Sequence, residues 1–179
     1  IVIFLQYIIP QHLLSKLMFR FARIENTFLK NTFTRWFVKS YKVDLSQAIR
    51  ERVEDYKHFN DFFTRALKSG ERVIGDSSII CPVDGAVSQV GLIDNTQILQ
   101  AKGRSYSVDA LLGNDSRFSS FTDGFFTTIY LSPRDYHRIH MPYDGKLISM
   151  SYIPGDLFSV NKKTAQNVDN LFARNERVV

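Results

Sequence analysis

Ile79-Ile80-Cys81-Pro82-Val83-Asp84-Gly85-Ala86-Val87-Ser88-Gln89-Val90-Gly91-Leu92 lies where the texture of the chain has changed. Before about Arg72, apolar residues recur at helical spacing. After it, short β-branched and aromatic runs alternate with turn residues. The strand candidates are residues 79–83, 86–92, 97–101, 125–131 and 146–152, with a last run near 177–179, and residues 107–112 fit one short helix. Helices followed by strands argue for an α+β fold: N-terminal amphipathic helices leading into a mainly antiparallel β core. Within the quoted stretch, Asp84-Gly85 suits a type I′ hairpin turn between 79–83 and 86–92, and Asp144-Gly145 invites the same explanation.

Working back from that stretch, residues 46–68 have helical character and close at Ser69-Gly70. Residues 11–24 place Leu13, Leu14, Leu17, Met18, Phe21 and Ile24 on one face and Lys16, Arg20 and Arg23 on the other. Residues 27–41 repeat the scheme, with Leu29, Phe33, Trp36 and Phe37 apolar and Lys30, Arg35 and Lys39 basic. Residues 1–42 carry seven basic side chains against Glu25 alone, a net of +6, whereas the whole chain is only +5. Basic amphipathic helices rich in Phe and Trp suit an anionic membrane surface; a helical hairpin packed on the rest of the protein is the alternative. Nucleic acid fits less well, because the aromatics lie on the apolar face instead of between the cations. The apolar run before Pro10 is too short to span a bilayer. The expected organisation is docking helices over 1–45, a helical connector over 46–72 and a β-rich catalytic core over 73–179.

One cysteine in 179 residues rules out an internal disulfide framework and fits a reducing compartment. The absence of C-x-x-C and H-E-x-x-H patterns leaves no structural zinc site to propose. The chain starts at Ile1 and stops at Arg177-Val178-Val179 without turn chemistry, so it reads as a fragment cut in mid-element.

Candidate chemistry concentrates in Tyr130-Leu131-Ser132-Pro133-Arg134-Asp135-Tyr136-His137-Arg138-Ile139-His140-Met141-Pro142, which holds two of the four histidines. Imidazole gives and takes protons near neutral pH. Three residues apart on an extended segment, His137 and His140 face different surroundings and suit two separate reactions better than one shared metal. Cys81 is a conceivable nucleophile beside either histidine, although a buried, unreactive cysteine is commoner. Residues 154–161 resemble a pocket rim, and Lys102-Gly103 could bring an ammonium to an anionic group; a solvated turn is the default for each. His12 and His58 receive no chemical role.

These segments, taken in order, resemble bacterial phosphatidylserine decarboxylase. The resemblance rests on Leu5-Gln6-Tyr7-Ile8-Ile9-Pro10, Tyr41-Lys42-Val43-Asp44, Phe59-Asn60-Asp61-Phe62-Phe63 and Ile98-Leu99-Gln100-Ala101-Lys102-Gly103. It continues through the two-histidine segment, residues 154–161, Thr164-Ala165-Gln166-Asn167-Val168 and Leu171-Phe172-Ala173-Arg174-Asn175-Glu176-Arg177. It implies a proenzyme that cuts itself at a Gly-Ser bond within Leu-Gly-Ser-Thr. The serine becomes a covalent pyruvoyl group, and phosphatidylserine is converted to phosphatidylethanolamine and CO₂ through a pyruvoyl Schiff base.

Carried over by position, Asp84 and His140 resemble the triad aspartate and histidine of self-cleavage, and His137 resembles the acid–base residue of decarboxylation. No Leu-Gly-Ser-Thr occurs in residues 1–179. The serine is therefore expected beyond Val179, in a C-terminal small subunit, and the fragment alone is expected to be inactive. The implied partners are phosphatidylserine, an anionic membrane and that small subunit, with no nucleic acid, and the implied location is peripheral on the cytoplasmic face of the inner membrane. The alternatives are a non-catalytic module that binds anionic lipid and, more remotely, a Cys81–His hydrolase.

Overall fold

A computed structural model describes residues 2–101, 103–115 and 120–179. Its elements in order are α1 (Val2–Ile8), α2 (Gln11–Phe21), α3 (Thr27–Tyr41), a single 3-10 turn (Val53–Asp55), α4 (Phe59–Phe63), β1 (Ala86–Leu92), β2 (Gln97–Ala101) and β3 (Arg104–Ser107). They are followed by α5 (Val108–Leu111), β4 (Phe125–Tyr130), β5 (Tyr152–Ile153), α6 (Lys162–Ala165), α7 (Leu171–Arg174) and β6 (Arg177–Val178). The α+β expectation holds. The chain divides into two compact units that do not follow sequence order. One joins Ile1–Ser15, Val87–Tyr130 and Leu147–Val179; the other joins Lys16–Ala86 and Leu131–Lys146.

The second of these is built on α3. Asn26 caps it by accepting from the Leu29 amide at 3.1 Å, and Lys42 ends it in the left-handed conformation with its N–H bonded to the Val38 carbonyl. Phe37 packs with Val43, Tyr56 and Phe62 in a buried cluster that Phe59 and Phe63 extend, ring against ring.

The helix expected over 46–68 is confined to α4 and the preceding 3-10 turn. The chain doubles back instead: the Ile49 amide donates to Ala66 and the Lys68 amide to Gln47. The Arg50 fork closes the loop on Asp61 with two bonds of 2.7 Å. These long-range bonds satisfy the backbone where a helix would have needed local ones. His58 has a structural duty, its Nδ1 accepting from the Asp61 amide at 3.0 Å to cap α4.

Lys30 departs from its expected place on a lipid-facing surface. It is 6% exposed, and its ammonium donates to the carbonyls of Val53, Glu54 and Tyr56. Arg35 is paired with Glu54.

In the first unit, β2 and β3 form an antiparallel hairpin across Gly103, whose φ of 72° suits the turn. β1 pairs with β4, and β5 pairs antiparallel with β6. The run expected as a strand over 146–152 enters a ladder only at Tyr152. Residues 79–83 are not a strand, and Asp84-Gly85 is not their hairpin turn, because β1 takes β4 as its partner.

Gln100, 1% exposed, donates to the Ala165 and Val168 carbonyls and accepts from the Leu171 amide at 2.7 Å, fastening α6 and α7 to β2. Gly155 lets the backbone close on itself: a Cβ there would stand 2.3 Å from the Arg174 carbonyl oxygen.

The loop expected as a pocket rim is held by the N-terminus. Gln6 accepts from the Ser159 amide at 2.8 Å, Gln11 accepts from the Leu157 amide, and the Tyr7 ring meets Phe158 edge-on. The Lys102 suggestion lies outside the described residues.

Candidate active site

Residues 80–82 run beside residues 140–142 in the antiparallel sense. The Ile80 amide donates to the Pro142 carbonyl and the His140 amide to the Pro82 carbonyl, both at 2.9 Å. Two segments some sixty residues apart in sequence are thereby held side by side, although Pro82 and Pro142 keep the ladder from growing. Asp84 and His140 consequently line one pocket of about 750 Å³. Its polar wall is Lys68, Arg72, Asp84, Tyr136, Arg138 and His140; Val73, Ile74, Ile79 and Val83 give it an apolar side. Cations outnumber the single carboxylate, so the pocket suits an anionic or zwitterionic molecule with an apolar portion.

Each of the two residues is already engaged. The Arg72 guanidinium grips the Asp84 carboxylate, its Nε 2.9 and 2.8 Å from the two oxygens and its Nη2 bonded as well. The carboxylate in turn holds the Arg72 guanidinium above its usual pKa range. The imidazole of His140 shares a hydrogen bond of 2.9 Å between Nε2 and the Tyr136 hydroxyl, with the two rings stacked. Tyr136 is buried and presents only this polar tip.

His137 has other surroundings. Its ring lies 4.1 Å from the Phe63 ring, centroid to centroid, and its Nδ1 donates to the Asp135 carbonyl at 2.8 Å. Ser132 closes the loop before it, its amide and hydroxyl both donating to the Asp135 carboxylate. The two histidines thus have different neighbours, although the segment is not an extended strand, since the Tyr136 and His140 rings, four residues apart, stack on each other. Cys81 lines the pocket with His140, but it is exposed, not buried as the commoner case would have it, and its thiol points to the Val83 carbonyl at 3.2 Å.

Arg72, Tyr136 and Arg65 were not singled out in the sequence. Tyr136 sits inside the two-histidine segment, so its proximity was there to be used. Arg72 and Arg65 leave no trace in any spacing. Burial pushes the Arg65 guanidinium below its usual pKa range.

The family model described as phosphatidylserine decarboxylase matches residues 59–179, and a second, described as PSD, matches residues 1–42. The chain belongs to the phosphatidylserine decarboxylase family. It is 56% identical over 176 residues to the phosphatidylserine decarboxylase proenzyme of Methylobacillus flagellatus, covering 98% of this chain and 63% of that protein. The corresponding proenzyme of Idiomarina loihiensis is 54% identical over 180 residues, covering 99% and 62%. That of Pseudomonas putida strain KT2440 is 54% identical over 177 residues, covering 97% and 62%. The chain therefore spans a little under two thirds of the length of these decarboxylase relatives.

Proposed function

We propose that this chain forms the larger part of a pyruvoyl-dependent phosphatidylserine decarboxylase proenzyme that docks on an anionic membrane surface. The observation that carries the assignment is the convergence of Asp84 and His140 on one pocket, with His137 on the same loop but in different surroundings. The serine that would complete the site has no counterpart in a Leu-Gly-Ser-Thr motif here. It is proposed to come from the remainder of the proenzyme, the future small subunit.

In self-cleavage, His140 would take the proton of that serine's hydroxyl through Nε2, and Asp84 would hold the imidazole by its Nδ1–H. The partners present support the arrangement. The Tyr136 hydroxyl already bonds to Nε2, where an attacking hydroxyl is required. The Arg72–Asp84 pair is partly exposed, 41% and 31% at the side chains. Because both side chains reach solvent, water can take over from Arg72 as Asp84 turns to the imidazole.

A pyruvoyl group supplies an electrophilic ketone that accepts the electrons left when CO₂ departs. The pocket fits such a group, with an imidazole and a phenol beside an apolar wall. His137 would move the proton that replaces CO₂, a contribution of about 10²–10⁴-fold.

Exposed apolar side chains support membrane docking. In α2 no residue is buried, and Leu13, Leu14, Leu17, Met18 and Phe19 all stand in solvent on the helix that carries Lys16 and Arg20. Among the described residues no helix is long and apolar enough to cross a membrane. The proposed location is peripheral, on the cytoplasmic face of a bacterial inner membrane.

The test is an intact-mass spectrum of the proenzyme carrying this chain. Two chains are expected, the smaller beginning with a pyruvoyl mass. Asp84→Ala or His140→Ala should leave one uncut chain, whereas His137→Ala should be cut yet decarboxylate slowly. Normal cutting in either of the first two would overturn the triad assignment. A wild-type chain that is never cut would leave a lipid-binding module.

A further inference from the structure

Arg65 comes just after Thr64, the C-cap of α4, and is 4% exposed. Its Nη2 donates to the Arg134 carbonyl at 3.0 Å and stands 3.5 Å from the Asp135 carbonyl oxygen. The Asp135 carbonyl is also the acceptor for His137 Nδ1. A carbonyl oxygen has no proton to give, so Nδ1 must carry the hydrogen, and in the neutral ring Nε2 is left with its lone pair. Two neighbours of Arg65 grip the same loop. The Phe63 ring packs on the imidazole, and the Thr64 carbonyl accepts from Arg138 Nε at 2.9 Å. Three consecutive residues, 63 to 65, thus frame His137 from ring, backbone and carbonyl acceptor together.

The cost of Arg65 argues that its charge has a use. Its Nε and Nη1 are buried without a hydrogen-bond partner, and no carboxylate forms an ion pair with it among the described residues. Asp135, Asp44 and Asp84 favour its charge only through space, and Phe62 offers only a ring face at 5.5 Å. Burial outweighs them, so an apolar side chain of similar length would fill the same space at less cost. Packing alone therefore does not explain a guanidinium here. What only a donor can do is fix the Arg134 and Asp135 carbonyls. We infer that Arg65 is a positioning residue: by holding the Asp135 carbonyl it locks His137 as the Nδ1–H tautomer and presents Nε2 for proton transfer. The inference rests on the proposed role of His137 in decarboxylation.

The experiment uses the proenzyme carrying this chain, labelled with ¹⁵N-histidine, and reads the His137 tautomer from long-range ¹H–¹⁵N correlations at about pH 8, where a free imidazole is neutral. One net hydrogen bond corresponds to roughly a tenfold tautomer preference. The wild type should show His137 as Nδ1–H. Arg65→Met should lose most of that tenfold preference and drift toward the Nε2–H form favoured by histidine in water. Arg65→Lys, which keeps one donor, should restore the preference at least in part; it also carries the test should the Met variant fail to fold. In turnover, Arg65→Met should lower kcat with KM little changed.

An Arg65→Met protein that keeps the wild-type tautomer ratio would overturn the inference, as would an Arg65→Lys protein no better than Met. The tautomer is read without turnover. If His137→Ala decarboxylates normally while the tautomer still follows Arg65, the role of His137 fails and its positioning by Arg65 stands.

Discussion

Substituting Lys30 by Met separates two meanings of the basic N-terminus. By sequence, Lys30 belongs with the cations that would face a lipid surface. In the fold its ammonium lies against the carbonyl oxygens of Tyr56 at 2.5 Å and of Val53 and Glu54 at 3.3 Å each. Met keeps most of the apolar stem and removes the donor. The Val53 and Tyr56 bonds are buried, and a buried carbonyl left without a donor costs about 1–3 kcal/mol. Part of that loss is offset because the ammonium no longer has to be desolvated. A net destabilisation of about 2–4 kcal/mol follows, read as a lower urea midpoint with an unchanged m-value.

The same variant should bind phosphatidylserine-containing vesicles as tightly as the wild type under conditions where both are folded. Lys16→Met, by contrast, removes an exposed cation, and the loss should be about fivefold, corresponding to about 1 kcal/mol per surface charge. Added salt should shrink the Lys16 effect and leave the Lys30 stability loss in place, because buried interactions are poorly screened. A Lys30→Met protein of wild-type stability that binds vesicles fivefold more weakly would refute the reasoning on both counts.

Two further substitutions probe other joints of the fold. Gln100→Leu strips partners from the Ala165 and Val168 carbonyls and the Leu171 amide, all buried, and should cost about 3–5 kcal/mol in urea unfolding; a loss below about 1 kcal/mol would mean that α6 and α7 are fastened elsewhere. Asp61 has its carboxyl held below the usual range by the Arg50 fork, so its contribution to stability is present above pH ~4 and is lost as pH falls through the depressed value. Asp61→Asn should therefore be less stable at neutral pH and show a shallower fall in urea midpoint below pH ~4, and an acid limb parallel to the wild type would count against the pairing.

The sequence was a good guide where short-range pattern decides structure. β1 and β2 occupy the residues expected for them, and α3 spans the expected 27–41, because alternation and helical spacing are complete within one segment. The pattern misled where partners come from afar. Residues 46–68 carry helical spacing, yet the contacts of 47–49 with 66–68 and the Arg50–Asp61 fork outweigh local propensity. Lys30 shows the same limit for charge. A lysine at its position on a helical wheel looks solvated until the 3-10 turn twenty-odd residues later delivers three carbonyls to it.

The candidate site obeys the same division. His137 and His140 could be picked out because their chemistry is written in residue type, Asp84 only through the family resemblance, and the partners of none of them. Arg72 takes the Asp84 carboxylate, and the Tyr136 hydroxyl takes Nε2 of His140. These are the two positions that a triad must free: a carboxylate for the imidazole N–H, and an imidazole nitrogen for the attacking hydroxyl. Both substitutes match the chemistry of what would replace them, a cation on the carboxylate and a hydroxyl on the imidazole. Exchange is one for one at Nε2, a hydroxyl for a hydroxyl, whereas at Asp84 a single imidazole N–H would replace three contacts from Arg72, which the partly exposed guanidinium can make to water instead. His137 needs no such exchange, since its Nδ1–H is spent on a backbone carbonyl and its Nε2 is the nitrogen left for chemistry. On the proposed roles, one loop would carry a histidine held in reserve for a single cut beside a histidine set for repeated proton transfer.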